Sequence, residues 1–283
     1  MHIRKLQVKP ANKTAQYTAQ KGDFMKKIAV ITGASSGIGK EFATRISEYG
    51  ELDEVWVIAR NLQKLEELRD KIPFSLKTIS LDLSKNESFG EYEKLLSEEK
   101  PFIKLLINCS GFGKFQATEK IPVSENLNMV NLNCAALLAM TQISLKYMGE
   151  GSDIIEISSV AAYQPVPYIN VYAATKAFVL SFSRGLSREV KSRGIHVMAV
   201  CPFWTKTNFF DRAINKNDGD VIVKKYAAMY TPANIVTKAY RDIKKKNKEV
   251  SMYGTVAKLQ TLAAKIMPHK FVMSVWQKQQ KLK

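Results

Sequence analysis

Residues 28–39 read IAVITGASSGIG, an unbroken apolar run that ends in three glycines within seven residues. A short β-branched run closed by glycines is a buried strand followed by a tight strand-to-helix turn. Gly33 leaves the strand, while Gly37 and Gly39, with Ile38 between them, let backbone approach a pyrophosphate and let the helix pack on the sheet. The helix N-terminus then offers free N–H groups and a positive dipole end, and Ser35 and Ser36 add hydroxyl donors. The spacing is G-x-x-x-G-x-G rather than G-x-G-x-x-G. The turn reads as a dinucleotide cradle.

Outward from this turn, strands and helices alternate. VWVIAR at 55–60, LKTISLDL, KLLINCSG, DIIEISS at 153–159 and IHVMAVCP at 195–202 supply five further strands. Helices are expected over 40–49, 61–71, roughly 124–148 and roughly 170–192. The pattern predicts an α/β fold: a doubly wound parallel sheet, Rossmann-like, in a single domain. A flexible basic segment, 1–24, would precede a catalytic domain over 25–240, and a basic amphipathic helical extension over 241–283 would follow it.

YAATK places Tyr172 and Lys176 one helical turn apart on one face. Tyrosine-x-x-x-lysine is a weak signal alone, and Tyr17/Lys21 and Tyr240/Lys244 repeat it. Thirteen residues upstream, however, those two have Arg4 and Ala227, whereas Tyr172 has Ser159. A tyrosine with a pKa of about 10 is a poor acid at neutral pH, and an adjacent ammonium lowers that value. A hydroxyl beside it can stabilise a developing oxyanion. Hydride transfer to a carbonyl needs such a proton donor. At the end of the second strand, Ala59 stands where a carboxylate would accept ribose hydroxyls, and Arg60 follows. A guanidinium suits an extra phosphate, which favours NADP over NAD.

Jointly, TGASSGIG, Ser159 and YAATK resemble the short-chain dehydrogenases/reductases over about 27–235, in particular their ketoacyl- and hydroxysteroid-handling branches. The resemblance implies a catalytic tetrad of Asn131 (in MVNLN), Ser159, Tyr172 and Lys176, with Lys176 also donating to the nicotinamide ribose. It implies Asp82 in LDLS, with Leu83, as adenine contacts, and NCSG at 108–111 as a variant of the family's NNAG that keeps Asn108 and Gly111. Pro202, Thr205 and Thr207 match the segment on the nicotinamide side, with Phe203 in place of a usual glycine.

Phe112, Phe115, Gln164, Tyr168, Phe203, Trp204, Phe209 and Phe210 gather at the expected strand ends. This lining favours an apolar carbonyl or alcohol, a steroid or an acyl chain, with Gln164 and Asn208 as polar contacts.

The net charge of +17 sits at the ends of the chain. Residues 1–27 carry +6 and 238–283 carry +10, which leaves about +1 for the body and argues against a nucleic-acid groove. Three separated cysteines, Cys109, Cys134 and Cys201, fit buried thiols in a reducing compartment, and the three scattered histidines give no metal site. The expected setting is cytoplasmic, with a homo-oligomer, a dimer or tetramer. In the tail, Leu259, Leu262, Ala263, Ile266 and Met267 form a helical stripe that fits a substrate lid or interface, its apolar side inward, or a membrane surface. The competing readings are an idle NADP-binding regulator, and a membrane-associated scaffold on the same fold.

Overall fold

The computed structural model describes residues 25–214 and 222–282; the expected N-terminal extension, 1–24, lies outside them. Seven parallel strands form one sheet: β1 (Lys27–Thr32), β2 (Glu54–Ala59), β3 (Ser75–Ser80), β4 (Phe102–Asn108), β5 (Asp153–Ile157), β6 (His196–Val200) and β7 (Val250–Ser251). Their order is β3-β2-β1-β4-β5-β6-β7. The strand order reverses between β1 and β4, and at such a switch point the loops diverge and leave a crevice at the carboxyl ends.

The central strands are mostly apolar because both faces are covered, whereas the edge strand β3 (SLKTIS) is only partly buried. From β1, Ala29 and Ile31 enter the core on one side, and Ile28 and Val30 the core on the other. The first core is covered by α1 (Gly37–Thr44), α2 (Leu62–Glu66) and α8 (Pro232–Ile243). The second is covered by α3 (Glu87–Glu99), α5 (Ala136–Ser144) and α6 (Asn170–Glu189), with α4 (Val123–Val130) leading into α5. Tyr240 is fully committed to packing: its hydroxyl donates to Phe42 O at 2.7 Å, and its ring meets Phe42 edge-on. That settles why Tyr240/Lys244 is an accidental motif.

Two elements differ from the expected pattern. Helix α3 is strongly polar, and its buried Ser88, Tyr92 and Leu96 recur at intervals of four without making a conspicuous apolar stripe. Strand β7 adds to the sheet beyond residue 240, so the sheet closes at Ser251 rather than before the extension. The short α7 (Phe209–Ala213) follows β6, and α9 (Thr255–Ile266) and α10 (His269–Gln280) complete the chain.

Between α4 and α5 the helix widens into a π-helical turn over Asn131–Ala135. Such turns re-aim side chains and cluster at functional sites.

Candidate active site

The crevice at the strand ends is a cavity of about 490 Å³ running from the glycine turn to the C-terminal helices. At one end, Gly33 adopts a positive φ of 69°, and its N–H donates to Ile58 O at 2.8 Å. A Cβ on Gly39 would stand 2.3 Å from Gly33 O, so only glycine lets α1 close this tightly on the turn. Thr32 Oγ1 accepts from the N–H groups of Cys109 and Ser110, which ties the end of β1 to the end of β4. Ser35, Ser36, Gly37 and Ile38 line the cavity here, opposite Pro202, Thr205 and Thr207.

Arg60 and Lys64 line the same end, as do Asp82 and Leu83. Burial opposes ionisation of Asp82, but hydrogen bonds from the Ser84 hydroxyl and N–H hold its carboxyl below the usual range. From α7, Arg212 lays its guanidinium over the Phe112 ring, 3.4 Å from the centroid. Its carboxylate neighbour Glu125 stands at 3.8 Å, beyond hydrogen-bond length. Burial lowers the Arg212 pKa, and Arg60 pushes the same way. Two guanidiniums therefore face one cavity. Sequence alone gave no sign of Arg212, because the chain leaves β6 and crosses the crevice before reaching it.

Tyr172, Ser159 and Lys176 meet at the centre. The Ser159 hydroxyl hydrogen-bonds Tyr172, and Lys176 Nζ lies 5.7 Å from the tyrosine ring centroid while donating to Ile157 O at 2.8 Å. Burial pushes the Tyr172 phenol up to about 12, the Ser159 hydrogen bond offsetting it in part. Burial likewise lowers Lys176, with Cys109, Cys134 and Glu156 opposing. The Tyr172 phenol therefore lies above its ordinary value rather than below it, because burial dominates while the Lys176 ammonium is held against the Ile157 carbonyl.

Asn131 does not join them. It is exposed on the helix, whereas Asn133 is buried. Two residues along a helix turn a side chain through roughly 200°, so only one of the pair can face inward. Asn133 Oδ1 accepts from Phe112 N at 3.0 Å, and its Nδ2 donates to Phe112 O at 2.8 Å and Thr175 Oγ1 at 3.0 Å. The buried asparagine of the site is Asn133, which MVNLN offered equally.

Asn108 lies behind the cavity wall rather than in it, donating to Thr141 Oγ1 and Glu156 Oε1. Burial raises Glu156 to about 8 despite hydrogen bonds from Thr141 and Asn108. Gly111, Phe112, Gln164, Phe203 and Trp204 line the cavity as expected, with Phe115, Phe209 and Phe210. Gln164 is buried, and its Oε1 has no hydrogen-bond partner. Tyr168 departs from expectation: it packs into the cluster around Phe115 and Trp276 instead of lining the cavity.

The far end is closed by the C-terminal helices, through Gln260, Trp276 and Gln279. Trp276 stacks on Trp204, centroids 6.3 Å apart and planes 20° from parallel, and its Nε1 donates to Pro167 O at 3.0 Å. Gln280 is buried and bonds the backbone of Lys224 and Lys225. All three cysteines are free, and among the described residues no group of acidic, histidine or cysteine side chains could hold a metal.

The family model described as short chain dehydrogenase matches residues 27–218. The chain belongs to this family. Very-long-chain 3-oxoacyl-CoA reductase-B of Danio rerio is 34% identical over 191 residues, covering 64% of this chain and 60% of that protein. The short-chain dehydrogenase from Sphingobium yanoikuyae, solved in complex with NADPH, superposes with a TM-score of 0.70 at 26% identity, covering 88% of this chain and 95% of that one. The bulky-bulky ketone specific alcohol dehydrogenase from Comamonas testosteroni gives 0.65 at 25% identity, covering 90% and 92%. The match spans about 60% of the curated relative's length.

Proposed function

We propose that the chain is an NADP-dependent oxidoreductase moving hydride between the nicotinamide and a carbonyl or secondary alcohol of a long apolar substrate, of the 3-oxoacyl thioester or bulky ketone class. One observation carries this reading: Tyr172, hydrogen-bonded to Ser159 with Lys176 beside its ring, stands in the same cavity as a turn that only glycine can close.

The residues fit the dinucleotide. The glycine turn would hold the pyrophosphate, Asp82 and Leu83 the adenine, and Arg60 the adenosine phosphate, with Lys176 at the nicotinamide ribose. When bound, the nicotinamide supplies or accepts the hydride. Tyr172 gives its proton to the substrate oxygen in the reductive direction, and its raised pKa keeps it protonated for that role. Ser159 donates to the same oxygen as charge develops. Lys176, its Nζ 5.7 Å from the ring centroid, is the cation beside the phenolate left behind. Asn133 acts through Phe112, fixing the loop after β4 against α6.

The substrate end supports an apolar partner. Phe115, Trp204, Phe209, Phe210 and Trp276 form one aromatic cluster, and the unpartnered Gln164 oxygen is the proposed polar contact. The relatives' names, a very-long-chain acyl reductase and a bulky-ketone dehydrogenase, point the same way. Free thiols, Cys134 and Cys201 of them buried, suit the cytoplasm, and a homo-oligomer is proposed on the family resemblance alone. The test is NADPH and NADH oxidation against 3-oxoacyl thioesters of increasing length, steroids and small ketones. Activity rising with chain length and preferring NADPH supports the reading; tight NADPH binding without turnover would favour a nucleotide-binding regulator.

A further inference from the structure

Helix α9 packs with its small side inward, whereas α10 buries Trp276 and Gln280. In α9, Ala257, Thr261 and Ala264 are buried, while Leu259 and Ile266 on the other side are 66% and 73% exposed. Leu262 is exposed too, and on α10 Phe271 and Val275 are exposed. This inverts the usual arrangement, in which the apolar stripe of an amphipathic helix faces the core. An outward apolar stripe of this kind marks an interaction surface.

Charge identifies the occupant. Residues 250–283 contain six lysines and no acidic residue. Among them, Lys258, Lys265, Lys270 and Lys278 are exposed on the same two helices. A second copy docking through this face would set like charge against like, since an isologous interface brings each patch onto itself. An anionic lipid surface neutralises the lysines and accepts the leucines, isoleucine and phenylalanine between them. Each helix has 12 residues, a length of roughly 18 Å that lies along a bilayer rather than across its core.

We propose that the outward face of α9 and α10 docks the protein on an anionic membrane surface. The same two helices close the cavity with Gln260, Trp276 and Gln279, so the wall between lipid and site is one helix thick. A long-chain substrate dissolved in the bilayer would then reach the cavity from the lipid side. That last step rests on the apolar substrate proposed above; the docking does not.

The test is co-sedimentation of the full chain with phosphatidylcholine vesicles, with and without phosphatidylserine, at physiological salt. The comparison is a triple variant, Leu259→Ser, Ile266→Ser and Phe271→Ser, all at exposed positions, with light scattering to give the mass of each protein. The expected result is binding to phosphatidylserine vesicles that weakens at high salt and falls about tenfold or more in the variant. Turnover of a short water-soluble ketone and the mass in solution should stay unchanged. No wild-type binding, equal binding by the variant, or a variant that loses an oligomer instead of lipid affinity would overturn the docking. Loss of turnover on all substrates with docking intact would count against the reaction proposed above, not against this surface.

Discussion

The Asn133 side chain holds the Phe112 backbone from both sides, accepting from its N–H at 3.0 Å and donating to its carbonyl at 2.8 Å. The loop after β4 is thereby pinned to the π-helical turn, with Thr175 of α6 as the third partner. Removing it leaves buried peptide groups without partners, at a cost of about 1–3 kcal/mol each.

Asn133→Ala should therefore lower kcat at least about tenfold, with a smaller change in KM, and reduce thermal stability; Asn131→Ala should alter neither by more than about twofold. Steady-state kinetics and melting of the two variants decide which asparagine belongs to the site. The opposite pattern would restore Asn131.

The two guanidiniums in the cavity should separate by cofactor. Arg60→Ala is expected to weaken NADPH about tenfold or more and to leave NADH unchanged, because only NADPH presents a phosphate to it. Arg212→Ala should weaken both by a similar factor, since its guanidinium, over the Phe112 ring, adds positive charge to the cavity that would take either dinucleotide. Titration of cofactor fluorescence gives the four dissociation constants.

Glu156 gives a pH signature. Its folded pKa of about 8 lies above the ordinary carboxylate value, so between about pH 4.5 and 8 the unfolded chain binds fewer protons than the folded one. Stability contributed at this position is complete below that window and is lost as pH rises through it. Glu156→Gln should flatten the decline and raise the melting temperature more at pH 8 than at pH 5. Its amide also offers a donor to a cluster in which Asn108 Oδ1 and Glu156 Oε2 both lack partners. An equal shift at both pH values would contradict the assignment.

Much of this site was legible because it is local. The turn at 33–39 and the helical spacing of Tyr172 and Lys176 are fixed by chain geometry within a few residues, and the buried parallel strands betray themselves as apolar runs. What escaped depends on rotation and on distant approach. MVNLN shows two asparagines, but the helix phase through a π-helical turn decides which faces in. Arg212 reaches Phe112 only across the fold. The stripe at Leu259, Leu262 and Ile266 is helical as its spacing implies, yet hydropathy suggests that such a stripe packs inward, and here Ala257, Thr261 and Ala264 fit the body instead. Tyr172 illustrates the same limit in electrostatics, since Lys176 is near in sequence while burial sets the phenol's pKa.

The most direct test of the account is Tyr172→Phe, which removes the phenolic proton and keeps the ring that packs against Phe115 and Phe209. NADPH oxidation with a 3-oxoacyl thioester and NADPH affinity should be measured on the same preparation. The account predicts a fall in kcat of about 100-fold or more, as expected for loss of a positioned general acid, with the cofactor dissociation constant within about threefold of the parent. A kcat reduced less than about tenfold would contradict Tyr172 as the proton donor.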